Sequence, residues 1–134
     1  MIKLIDHIGI VVKDIESSLK LYSEALGLEL ATIETNDAYK VRIAFFPVGD
    51  TLVELLQPMA EGTMMGDVLK ERGESIHHIA FRVDDIEADL AKLKALGVPL
   101  INETPQIGGL GARIAFLQPS AANGVSIELV EKDE

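Results

Sequence analysis

The sequence predicts an α+β fold: two βαβββ repeats pairing into a curved, open-barrel-like mixed sheet. Three observations predict it. The chain repeats itself, since "IDHIGIVVKDIESSLKLYSEALGLEL" aligns with "IHHIAFRVDDIEADLAKLKALGVPL". Each copy opens with apolar alternation of period two and then changes to spacings of three and four, a strand followed by a helix. Each copy ends in short alternating runs separated by turn residues, "VGD" in the first and "ANG" in the second.

The repeat holds position by position. Ile5, His7, Val12, Asp14, Ile15, Glu16 and Leu19 match Ile76, His78, Val83, Asp85, Ile86, Glu87 and Leu90 at one offset, 78 − 7 = 71. Gly27 matches Gly97 after a one-residue deletion, and "RIAFF" (42–46) matches "RIAFL" (113–117). "VELL" matches "IELV" at 128 − 54 = 74, so the second copy is three residues longer in its last hairpin. Within a single domain, 1–134, the repeats span 4–57 and 76–131, joined by a connector, 58–75.

In order, strands are expected at 4–12 and 76–83. Asp14 and Asp85 are the N-caps of the helices that follow, accepting backbone N–H groups of the first turn. Ile15, Leu19, Tyr22 and Leu26 form one apolar stripe, and Ile86, Leu90, Leu93 and Leu96 form its counterpart. Gly27 and Gly97 end the helices. Three strands are then expected per copy, at 28–35, 40–47 and 51–57, and at 98–103, 112–118 and 124–130. The connector carries a short helix, 63–72, closed by Gly73, with Met64–Met65 on its buried face.

Composition narrows the function. The 134 residues include no Cys, which excludes disulfides, thiolate metal sites and Cys nucleophiles. No apolar run reaches the roughly 18 residues of a membrane span, and no leader is recognisable; the sequence reads as a soluble cytoplasmic protein. The net charge of −10, with no Lys/Arg cluster, argues against nucleic-acid binding. Any anionic substrate must be drawn in by a local basic group or a metal against the field of the whole molecule.

The chemistry-bearing residues come in matched pairs. On the first strands, His7 and His78 share a face with small residues, while Ile8, Ile10, Phe81 and Val83 supply the face that packs on a helix. His77, the neighbour of His78, points the other way and is expected to be structural or to orient a ligand. Glu54 and Glu128 each interrupt an apolar strand, and a carboxylate on an inward face is costly unless paired or metal-bound. Singly, each has a plainer reading: a strand His is more often hydrogen-bonded filler than ligand, and a strand Glu commonly faces solvent at an edge. The repeat favours the other reading, because each half gives one His and one Glu. If a pseudo-twofold relates the halves, four donors can converge. Imidazole and carboxylate suit one divalent first-row ion, Co²⁺, Ni²⁺, Mn²⁺ or Fe²⁺, with Zn²⁺ in an expanded shell as a further option.

The runs "DHIGIVVKDIESSLKLYSEALGLEL", "VGDTLVELLQP", "RGESIHHIAFRVDDIEADL", "IGGLGARIAF" and "NGVSIELVE" cover nearly the whole chain. They resemble the methylmalonyl-CoA epimerase family of the vicinal oxygen chelate (glyoxalase–bleomycin resistance) superfamily. The resemblance implies metal ligands at His7, Glu54, His78 and Glu128, a homodimer, and a proton transfer on a thioester through a metal-stabilised enolate. Two proton-transfer groups are then needed, one on each side of the substrate. Glu128 is one. The family's second catalytic glutamate aligns with Ile43, which cannot move a proton, so Glu54 is the candidate for the opposite side. The family's His-Pro-Lys is replaced by Gln118-Pro119-Ser120. Arg113 and the Gly-rich loop, through Gly109 and Gly111, remain as candidates for binding the substrate's anionic groups. Two alternatives stay open: a glyoxalase I-type lactoylglutathione lyase acting on a hemithioacetal, and a non-catalytic small-molecule binding protein of the same fold.

Overall fold

A computed structural model describes residues 2–133. The first copy forms β1 (Ile2–Val11), α1 (Ile15–Leu19, continuing as a π-helical segment, Lys20–Ala25), β2 (Thr32–Asn36), β3 (Val41–Val48) and β4 (Thr51–Pro58). The connector holds α2 (Met64–Arg72). The second copy forms β5 (Ser75–Val83), α3 (Ile86–Ala95), β6 (Gln106–Ile107), β7 (Arg113–Phe116) and β8 (Ser126–Glu131). The strands follow the hydrogen-bonded order β2-β3-β4-β1-β5-β8-β7-β6. The sheet is mixed: β5 and β8 are parallel, whereas β2–β3, β3–β4, β6–β7 and β7–β8 are antiparallel. The α+β class and the doubled βαβββ order are therefore as the repeat predicts.

The chain divides into two compact units. One is Ile8–His77; the other takes the residues up to His7 and from His78 onward. In Ile8–His77, alternation sends Val12, Ala44, Phe46 and Leu55 to one face, where Ile15, Leu19 and Tyr22 of the first helix cover them. The opposite face carries Val11, Val41, Ile43, Phe45 and Leu56, packed on Met65 of α2. Full burial of each such side chain is worth about 1.5–3 kcal/mol. Thr63 caps α2, its hydroxyl accepting the Gly66 N–H at 3.1 Å. A Cβ at position 66 would collide with the Ala60 carbonyl oxygen, so this turn requires glycine.

In the second unit, Val83, Ala115, Leu117 and Leu129 face α3 and pack on Ile86 and Leu90. Pairing of β5 with β8 sets His78 opposite Ser126 and Ala80 opposite Glu128, and pairing of β7 with β8 sets Phe116 opposite Glu128. Paired residues share a face. His78, Phe116, Ser126 and Glu128 therefore lie together on the side away from α3, and all four are buried.

Three details differ from the sequence reading. The helical stripes stop short: Leu26 and Leu96 are 59% and 69% exposed because each is the C-cap residue, already turning out of its helix. The strand expected at 98–103 is reduced to one bridge, Leu100 to Leu117. Pro99 and Pro105 have no N–H to give a ladder, and the Asn102 side chain accepts the Phe116 N–H at 2.9 Å in place of a backbone carbonyl. A two-residue β6 further along pairs with β7 instead. Among the described residues, no helix is long and apolar enough to cross a membrane.

Candidate metal centre

Three of the four predicted ligands meet within the second unit. His7 Nε2 lies 3.0 Å from His78 Nε2 and 2.8 Å from Glu128 Oε1, and His78 Nε2 lies 3.8 Å from the same oxygen. All three residues are at most 5% exposed. Donors held about 2.1 Å from one ion at right angles stand about 3 Å apart, so these separations are those of a common coordination sphere. Glu128 Oε1 is buried without a hydrogen bond among the described residues. The short approach of His7 Nε2 does not have hydrogen-bond geometry. A buried carboxylate oxygen left that way is expensive unless a cation takes the place of the missing donor. Convergence, burial and the orphaned oxygen together fit a divalent ion.

Around the donors, Phe116 packs edge-on against the His78 ring at 5.4 Å between centroids. On the other side of His7 stands a residue that the motif reading passed over. Asp6 is fully buried, and its Oδ2 accepts a hydrogen bond from His7 Nδ1 at 2.7 Å. Its Oδ1 accepts from Arg82 Nε and Nη2 at 2.9 and 2.7 Å and lies 3.0 Å from Lys132 Nζ. Burial pushes the Asp6 carboxyl up, but the hydrogen bonds from His7, Lys132 and Arg82 outweigh it and hold the group well below the usual carboxylate range. Strand alternation hides this contact, because neighbours along a strand nominally face opposite sides. The available signal was a charged residue inside an apolar strand whose repeat partner, His77, is not an acid.

Glu54 is buried in β4, opposite Phe45 and within the Ile8–His77 unit. Ile43 is buried in the apolar cluster of that unit, with Val11, Phe45, Leu56 and Met65. Arg113 stands on the α3 side of β7, where its guanidinium pairs with Glu131 at 2.9 Å and with Glu87; Glu128 is on the other side. Gly109 and Gly111 bound a tight turn, closed by the Gly108 N–H donating to the Ala112 carbonyl at 2.9 Å. His77 is buried on β5, and burial, helped by the Arg72 charge, pushes its pKa down to about 4.

Residues 6–116 match the Glyoxalase/Bleomycin resistance protein/Dioxygenase superfamily. The chain belongs to that superfamily. Among relatives within it, the Ethylmalonyl-CoA/methylmalonyl-CoA epimerase of Cereibacter sphaeroides is 34% identical, over 96% of this chain and 98% of its own. A Probable lactoylglutathione lyase of Vibrio parahaemolyticus is 30% identical over 96% and 90%. The solved structure of a Glu-to-Gln variant of Streptomyces coelicolor methylmalonyl-CoA epimerase in complex with 2-nitronate-propionyl-CoA superposes with a TM-score of 0.94 at 34% identity, covering 100% of both chains.

Proposed function

We infer that this superfamily member is a metal-dependent methylmalonyl-CoA epimerase. The observation that carries the reading is the convergence of His7, His78 and Glu128 on an orphaned carboxylate oxygen, in a chain similar to epimerases over nearly its whole length. A divalent ion held by these residues would supply Lewis-acid stabilisation for the negative charge that develops on the thioester oxygen. Co²⁺, Ni²⁺, Mn²⁺ and Fe²⁺ suit the donor set and leave positions for two substrate oxygens, as does Zn²⁺ with an expanded shell. Glu128 serves both as a donor and as the base for the acidic C–H between the two carbonyl groups. Glu54 is the fourth ligand and the acid on the opposite face; what supports it is the repeat that pairs it with Glu128 and its burial in an apolar strand. The N–H groups of Gly109 and Gly111 are proposed to meet the substrate carboxylate. Arg113, already engaged by two acids, would serve an anionic group only by leaving them. A homodimer is the proposed assembly.

The test is deuterium exchange at the substrate α-carbon with Co²⁺-loaded protein. Methylmalonyl-CoA and the methylglyoxal–glutathione hemithioacetal are run in parallel. Exchange into methylmalonyl-CoA is expected, lost on chelation and lost in Glu128→Gln. Exchange into the hemithioacetal alone would assign the lyase reaction instead, and exchange into neither would leave a binding protein. Full turnover in Glu54→Gln with metal still bound would remove Glu54 from the mechanism.

A further inference from the structure

We propose that Asp6, held by Arg82 and Lys132, is the positioning residue of the metal centre: it fixes His7 as the Nδ1–H tautomer and aims a bare Nε2 at Glu128 and His78. The inference rests on the metal reading above for its purpose, but its geometry stands independently. Asp6 is buried, with its Oδ1 taken up by Arg82 and Lys132, which leaves Oδ2 as the acceptor facing the His7 ring. The 2.7 Å contact to His7 Nδ1 therefore places the ring hydrogen on Nδ1. In a neutral imidazole the other nitrogen is then a lone-pair donor, the form a metal takes.

The repeat makes the argument sharper. Position 77 corresponds to Asp6 and holds histidine; Val11 corresponds to Arg82, and Pro58 to Lys132. The acid and both of its cations thus occur in one half only, although both halves build the same βαβββ unit. A carboxylate required by that unit would be needed twice. A buried ion cluster is also poor value for stability alone, since desolvation can exceed the Coulombic gain. A further consequence follows for His78. Its Nε2 lies 3.0 Å from His7 Nε2, and with the His7 hydrogen on Nδ1 the hydrogen in that contact must come from His78. In metal-free protein the two ligands matched by the repeat are opposite tautomers.

The experiment has two arms. Nitrogen-15 NMR of metal-free wild-type protein at about pH 8, above the ordinary imidazole range, reads the tautomers directly. His7 is expected with its hydrogen on Nδ1 and His78 with its hydrogen on Nε2. A His7 ring carrying hydrogen on Nε2, alone or as an imidazolium, would overturn the proposal without any variant having to fold. In the second arm Co²⁺ is titrated into wild-type and Asp6→Asn protein and followed by its visible absorption. Binding about 10- to 100-fold weaker is expected in the variant, with a mixed His7 tautomer. Affinity within twofold of wild type in a folded Asp6→Asn protein would overturn it. If wild-type protein takes up no Co²⁺, the metal reading fails, and the tautomer result still decides what Asp6 does to His7.

Discussion

The two adjacent histidines of β5 show how strongly position separates like residues. His78 is turned toward His7 and Glu128, where a cation can use its lone pair. His77, one residue earlier, is buried on the other face and held neutral, with a pKa near 4 set by burial and by Arg72. That depression has a definite sign. The unfolded chain takes up a proton on this residue near its ordinary value of 6.5, while the folded chain resists until about pH 4. Between those values the unfolded state binds more protons, so the stability His77 contributes is whole above about pH 6.5 and declines as pH falls. The loss approaches a ceiling on the order of 3 kcal/mol at the lower end. Chelator-treated wild type and His77→Gln, unfolded in urea at intervals across this range, should differ in slope, the variant losing less stability on acidification. Parallel slopes would mean that His77 is protonated normally in the fold. Asp6 does not confuse the window: its folded pKa is depressed, so its contribution is lost only below the ordinary carboxylate value. At this scale the sequence was informative wherever the repeat applied. Alternation and duplication together pointed to His7, His78 and Glu128, which the fold brings together, whereas Arg82 and Lys132 lie far from Asp6 in the chain and no sequence pattern joins them to it.

Each βαβββ copy braces its helix by the same device. The Ile15 N–H donates to Gln57 Oε1 at 2.9 Å, and the Ile86 N–H donates to Glu131 Oε1 at 3.0 Å, each satisfying an orphan donor at a helix start. Arg42 then ties Gln57 to Glu16, and Arg113 ties Glu131 to Glu87. The first copy manages with an amide where the second has an acid, which predicts the outcome of changing one into the other. Glu131→Gln keeps the acceptor and should leave the urea midpoint nearly unchanged. Glu131→Ala removes it and should cost about 1 kcal/mol, the worth of a lost helix cap. Equal losses in both would shift the weight from the cap to the charge on Arg113. Neither variant should alter Co²⁺ affinity, since Glu131 faces α3. The same logic tests Arg113: if Arg113→Gln slows exchange with metal affinity intact, the arginine leaves its brace to meet substrate, and unchanged exchange would make it structural. The pairing of Arg42 with Arg113 could be read from "RIAFF" and "RIAFL", but the acids they reach are set by strand register. The lost strand at 98–103 illustrates the same limit, since Asn102 settles that backbone with a side-chain hydrogen bond that period-two patterning cannot register.

At the scale of the whole molecule, the net charge of −10 acts on every encounter with an anionic thioester. The field of the protein opposes approach, so productive binding depends on charges close to the site prevailing over it at short range. Arg82 and Lys132, beside the candidate metal centre, are already committed to Asp6, and Arg113, on the opposite face of β7, is committed to Glu87 and Glu131. Those three cations are therefore not free to offset the long-range repulsion. Salt separates the two by distance. At about 0.1 M the screening length is about 10 Å, enough to suppress repulsion from distant surface carboxylates while leaving buried contacts largely intact. Raising ionic strength from about 0.01 to 0.15 M should therefore lower KM for methylmalonyl-CoA roughly twofold with kcat unchanged, the reverse of an electrostatically steered enzyme. A KM that rises with salt would instead reveal a basic surface guiding the substrate in. Arg113 would then be the first residue to substitute, because losing it would flatten the salt dependence only if its guanidinium takes part in capture.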